Sequence, residues 1–322
     1  MTMPVAPTPP PIRTGWLLVA NKHDQSLGII DPVSNTQIAT VPVGGVTGHE
    51  VAVSPDGSRA FVPIFGDSGV GKPGTDGRHI AVIDLALRRV ERMFAFDRGV
   101  RPHHAVVNPS DGLLYVTTEL ENSVSIVDPH SLTLVGSVPT GQPESHMLAI
   151  SSNGKRAYTA NVGPGTVSAL DLAQRTTVAV IPVAAHVQRI ALSVDDRWAF
   201  TADTTTSRLA VIDTRAHAVA RWVELPAPGY GAAATPSGRH LIVAMPEADA
   251  LAVIDLSTFA MSAVVETPRS PQEVLVRPDG RVAYASCDIP GEVAAIDTAN
   301  WRVEAVIPAG RYADGLAWAS TR

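Results

Sequence analysis

Cysteine is almost missing: Cys287 is the only one in 322 residues. No intrachain disulfide and no thiolate metal cluster can therefore form. Charge is scarce too, with 17% Asp, Glu, Lys and Arg, and it leans acidic, to a net −6. No Lys/Arg cluster reverses that balance, so nucleic acid, which demands a cationic surface, is not expected as a partner. No apolar run approaches the roughly 18 residues of a membrane-spanning helix, and a membrane is not expected either. The chain also lacks a P-loop, a dinucleotide fingerprint, a CxxCH haem attachment site and a GxSxG elbow, which argues against phosphate-driven and haem chemistry within it. Residues 1–14 carry five prolines (Pro4, Pro7, Pro9, Pro10, Pro11) without a basic n-region or an apolar h-region. They predict a disordered proline-rich tail over 1–14, not a signal peptide, and a cytoplasmic location.

What the chain does have is a core-forming composition cut into short pieces. Hydrophobic residues reach 45%, with 25 Gly and 26 Pro among them and between them, which suits many short strands joined by tight turns. An apolar segment ending in Asp occurs seven times: LGIID, IAVID, VSIVD, VSALD, LAVID, LAVID and VAAID, ending at Asp31, Asp84, Asp128, Asp171, Asp213, Asp255 and Asp297. The intervals are 53, 44, 43, 42, 42 and 42 residues. A period of about 40–45 residues with four strands per unit is propeller spacing. Periodicity within the segments is two, not 3.6, which excludes a helical solenoid.

Each unit reads as a strand, a turn such as VAVSPDG or VLVRPDG, a second strand, the Asp-ending strand and a fourth. The longer first interval predicts an inserted Gly- and Asp-rich surface loop over Phe65 to Arg78. The chain starts on a second-type strand, Trp16 to Asn21, and finishes on a first-type strand, Gly315 to Ser320. Pairing the two closes the ring and removes exposed sheet edges. The fold class expected is thus all-β: a seven-bladed β-propeller over 15–322, closed by the C-terminal strand joining the N-terminal blade. The seven aspartates recur in every unit and are assigned to turn-forming hydrogen bonds.

The stretches LYVTTELENSVSIVD, AYTANVGPGTVSALD and VAVSPDGSRAFVP resemble the YVTN-repeat β-propellers, over roughly residues 16 to 320. That family, with the lactonase-like propellers beside it, includes lactonases, lyases, oxidoreductase domains and binding scaffolds. The resemblance implies architecture and leaves the reaction open.

Repeats let equivalent positions be compared. Five residues before the last residue of each first strand lie His49, His103, His146, Gln188, Tyr230, Gln272 and Asp314. This position is the strand's entry, at the rim of the central channel. Three consecutive blades place histidine there, and equivalent positions face a common axis. Three imidazoles can so converge on one metal ion at about 2.0–2.1 Å, leaving a coordination position open. The ligands predicted are His49, His103 and His146, for one transition-metal ion: Zn, Cu, Fe or Ni. His104 and Glu50, with Tyr230 as an acid or hydrogen-bond donor, are the expected catalytic groups. Arg189, Glu144, Glu273, Gln272 and Asp314 are expected to bind substrate or orient ligands. His186 and His23 fall near the same rim and are weaker candidates. Cys287, a lone thiol ending a second-type strand, is expected to be inert. The function expected is a metal-dependent lyase, cyclase or hydrolase acting on a small-molecule substrate; the alternative is a non-catalytic ligand- or protein-binding scaffold.

Overall fold

The computed structural model describes residues 15–320; the proline-rich segment 1–14 lies outside the described residues. Val, Ile, Ala and Leu recur in short runs between Asp- and Gly-bearing turns, and these runs form strands of two to nine residues. Seven four-stranded antiparallel sheets result, each ordered from the channel outwards. Six are continuous in the chain. The seventh joins Ala313–Ser320 to Gly15–Asn21, followed by Ser26–Asp31 and Thr36–Pro42. Leu17 faces Trp318 and Val19 faces Leu316 across that seam. We number this sheet blade 1 and the others 2 to 7 along the chain.

The repeat aspartates close each third strand. In every blade the carboxylate accepts a backbone N–H from the turn that follows, such as Val33 N to Asp31 Oδ1 at 2.9 Å and His130 N to Asp128 Oδ1 at 2.8 Å. Four residues after each Asp the chain turns left-handed, even at Leu132, Phe259 and Trp301. Such a turn costs a non-glycine residue roughly 1–2 kcal/mol and needs the side-chain bond to hold it.

The hydrophobic core is not central. It divides into seven clusters, each straddling two neighbouring blades; one joins Leu18, Leu27 and Ile29 of blade 1 to Val62 and Ala81 of blade 2. Apolar faces are therefore spent between blades, and the axis is left to polar side chains. Helix is confined, among the described residues, to two short 3-10 turns, and none is long and apolar enough to cross a membrane.

The insertion differs from its expected form. The strands Arg59–Gly66 and Asp76–Asp84 run on past their counterparts, with Ile64 facing His79 and Gly66 facing Asp76, so the loop shrinks to 67–75. Phe65, expected in a surface loop, is only 2% exposed. The loop is tied to blade 3: Gly71 N donates to Glu119 Oε1 at 3.1 Å, and buried Arg101 bridges Asp76 and Glu119 at 2.6 and 2.9 Å.

Candidate functional site

The inner strands carry the site, and a local irregularity aims it. Pro102 pairs with Thr118 and Ala105 with Val116, so His103 and His104 together oppose the single residue Thr117. The same two-against-one β-bulge places His146 and Met147 opposite Ala160, Gln272 and Glu273 opposite Ser286, and Asp314 and Gly315 opposite Ala20. A bulge breaks the strict alternation of faces and can turn two successive side chains toward one region. It also frees backbone groups, which hydroxyls reclaim: His104 N donates to Thr117 Oγ1 at 3.0 Å, Thr117 Oγ1 to His146 O at 2.6 Å, and Glu273 N to Ser286 Oγ at 3.1 Å.

His49, His103 and His146 come together from three adjacent blades, all buried, with one ring nitrogen from each within 4.8 Å of the others. The His49 and His103 Nε2 atoms lie 2.6 Å apart, and the His103 and His146 rings overlap with centroids 3.6 Å apart. Phe65 closes the cluster edge-on, 6.2 and 5.4 Å from the His49 and His103 rings. His49 Nδ1 faces Thr47 O at 3.2 Å and His146 Nδ1 faces Gln188 O at 3.3 Å. A carbonyl only accepts, so both Nδ1 atoms carry the proton and both Nε2 atoms keep a lone pair. Two bare lone pairs at 2.6 Å would repel, so His103 donates its own Nε2–H to His49. Its Nδ1 is then a bare acceptor, buried and unpartnered. Burial holds all three imidazoles neutral: it pushes His49 and His103 well below the usual histidine range and His146 down to about 3, with Arg189 adding to the depression. Neutral imidazole is the form in which histidine ligates metal, and two of the three, His49 and His146, are oriented by backbone carbonyls as such ligands commonly are.

A second group abuts the first. Arg189, 4% exposed, extends across the channel to Glu273, to Asp314 Oδ1 at 2.6 Å and to Glu50 at 3.1 Å. These partners stand on blades 7, 1 and 2, so one side chain of blade 5 spans the axis. Its guanidinium lies 4.8 Å from the centroid of the Tyr230 ring, whose hydroxyl donates to Gln188 Oε1 at 2.7 Å. Burial raises the Glu50 carboxyl to about 7; Arg189 pulls it back down and Asp314 pushes it further up. The opposing carboxylates of Glu50 and Asp314 outweigh burial at Arg189 and hold its guanidinium above its usual range.

The other expected residues sort by place. His104 joins neither group: its Nδ1 accepts the backbone N–H of Leu148 at 3.1 Å, and burial presses it to about 3. With Nδ1 occupied as an acceptor, Nε2 carries the hydrogen, so His104 is a donor in the wall and neither a fourth ligand nor a base. Arg189 was expected to grip substrate, but its guanidinium is taken by the protein's own carboxylates. Gln272 turns back to Ser270, 2.9 Å from its Oγ, and Glu144 accepts from Gly163 N at 2.7 Å at the rim, beside Gly71. His23 stacks on Tyr312, 5.7 Å away. Cys287 is buried and its thiol is pushed up to about 12, as an inert residue requires.

Gly315 shows how tightly the site is assembled. Its N–H donates to His49 O at 2.8 Å, and a Cβ there would stand 2.6 Å from that oxygen and 2.7 Å from Glu50 Cα and Oε2. Gly315→Ala is expected to cost about 1–3 kcal/mol, the usual range for overpacking. Urea denaturation reads the loss, and a variant as stable as the parent would refute the close fit.

Placed beside known proteins, the chain matches no family model and no curated protein. Among solved structures it is similar to Kuenenia stuttgartiensis hydrazine synthase, with 20% sequence identity and a TM-score of 0.74 over 92% of this chain and 98% of that one. At that identity the likeness establishes the class, a seven-bladed β-propeller, and nothing about chemistry.

Proposed function

We propose that this protein is a metal-dependent enzyme, a lyase, cyclase or hydrolase, acting on a small polar molecule at the mouth of the propeller channel. The observation that carries the reading is the meeting of three buried, neutral imidazoles from adjacent blades. His49, His103 and His146 hold one transition-metal ion, whose chemistry is to polarise a carbonyl or activate water. Glu50, with a carboxyl raised to about 7, moves the proton, since a group that titrates near working pH both gives and takes one readily. Tyr230 and Gln188 line the opposite wall and orient the substrate. The YVTN-like repeats support this reading, since lactonases and lyases occur among such propellers; no reaction among the three is singled out.

The test is the metal content of untagged protein by plasma mass spectrometry, for the parent and for His103→Ala. About one transition-metal ion per chain is expected in the parent, and a loss of about 100-fold in affinity for the variant. A parent that remains empty after reconstitution with Zn, Cu, Fe and Ni overturns the proposal and leaves a binding scaffold as the function.

A further inference from the structure

Four consecutive blades, 1 to 4, place Asp314, His49, His103 and His146 at the equivalent position of their inner strands. The three histidines are one group of converging ligand atoms; His49, Glu50 and Asp314 are a second, also within 4.8 Å of one another. His49 belongs to both, so the acidic group continues the histidine layer. The inner-strand bulge that opposes His103 and His104 to one residue recurs at Asp314 and Gly315. Asp314 is 8% exposed, and Arg189 Nη2 donates to its Oδ1 at 2.6 Å. A ligating carboxylate is normally held in this way by an outer donor that fixes its orientation and leaves the other oxygen for the ion.

From this we infer that Asp314 is the fourth, anionic donor of the metal centre, which makes it a three-histidine, one-carboxylate site for a divalent ion. The inference rests on the three-histidine reading and adds to it a ligand and a selectivity. The surroundings favour the same conclusion. Three carboxylates, Glu50, Glu273 and Asp314, meet the single guanidinium of Arg189, so acidic side chains outnumber basic ones beside the histidine layer. A divalent ion suits such an acidic surrounding better than a monovalent one. An oxygen donor also shifts preference from Cu(I), which three imidazoles alone accept, toward Mn(II) and Fe(II). Glu50 is the less suited of the two acids, since it lies one residue along from the ring position that Asp314 shares with the three histidines.

The experiment titrates metal-free parent, Asp314→Asn, Asp314→Glu and Glu273→Gln with Mn(II) and with Cu(I), against a competing chelator. Asp314→Asn is expected to lose at least about 100-fold in Mn(II) affinity and less than about tenfold for Cu(I). Asp314→Glu keeps the charge and is expected to hold Mn(II) within about tenfold of the parent. Glu273→Gln removes a carboxylate from the same guanidinium without touching the histidine layer, so its Mn(II) loss is expected to stay below about tenfold. Thermal melts verify that each variant is folded; if Asp314→Asn is not, the smaller Asp314→Ser replaces it. Mn(II) binding by the uncharged variant within about tenfold of the parent overturns the inference and leaves the histidine triad standing. An equal loss in Glu273→Gln overturns it too, by tracing the effect to the ion-pair cluster. A parent that takes up neither ion overturns the three-histidine reading, and the inference with it.

Discussion

Replacing Arg189 by methionine is expected to lower stability by about 3–5 kcal/mol at pH 7.5, the usual cost of removing one partner from a buried ion pair. The side chain is 4% exposed and is the cation paired with Glu50, Glu273 and Asp314. Methionine fills much of its volume but leaves three acids crowded together with no cation between them. Without Arg189, which pulls the Glu50 carboxyl down against its burial, that carboxyl must rise further in the folded variant. An acid whose folded pKa lies above its unfolded value contributes stability below the unfolded value and loses it as pH rises through the folded one. The variant should therefore recover stability as pH is lowered from 8 toward 5. Guanidinium denaturation across that range is the measurement. A variant within about 1 kcal/mol of the parent at pH 7.5 would mean that the carboxylates do not need the cation.

The metal-free parent is expected to behave in the opposite way and to weaken steeply in mild acid. His49 and His103 are held well below their usual range, and His104 and His146 at about 3, all chiefly by burial. The unfolded chain takes up these protons near pH 6.5, and the folded chain refuses them. Stability from the four imidazoles is thus complete above pH 6.5 and declines as pH falls below it. Glu50 acts against this: its folded value of about 7 lies above the ordinary 4.5, so its contribution is present below 4.5 and fades as pH rises through 7. Four groups outweigh one. At roughly 1.4 kcal/mol per proton and pH unit, the net slope between pH 6 and 5 reaches about 4 kcal/mol per unit. Calorimetry of chelator-treated protein should show the melting temperature dropping over this interval. His146→Gln should reduce the slope by one proton. A profile flat from pH 7 to 5 would show that the folded chain takes up these protons as readily as the unfolded one, and would refute the depression by burial.

How legible this was follows from where repetition exists. The fold is repeated seven times, so the Asp-ending strands, the 42-residue period and the ring-closing pair of terminal strands could be read without a structure. Equivalent positions located the channel rim for the same reason, and they placed His49, His103 and His146 together. What occurs once could not be read. The inner-strand bulge has no sequence signal of its own, so alternation alone made His103 and His104 exclusive choices; only the hydroxyls of Thr117 and Ser286, opposite the bulges, hint at it. Arg189 was placed at the rim but not across the axis, because a long side chain's reach depends on the three acids that meet it from other blades. Phe65 reads from the sequence as part of a Gly- and Asp-rich loop, since nothing local says that its strand continues under the histidines.

The seam at blade 1 also bears on the order in which the protein comes into being. The strand Ala313–Ser320 is made some 300 residues after its neighbour Gly15–Asn21. While the chain is being synthesised, blades 2 to 7 can stack one upon the next, but blade 1 waits with an empty inner place. Asp314 travels on that late strand, and so does Gly315, which bonds to His49. His49, His103 and His146 can gather beforehand, yet the carboxylate beside them, and one of the three that hold Arg189, arrives only as the circle shuts. Closing the ring and completing the channel's polar centre are therefore one event, and a chain that stops short of the seam is deprived of both.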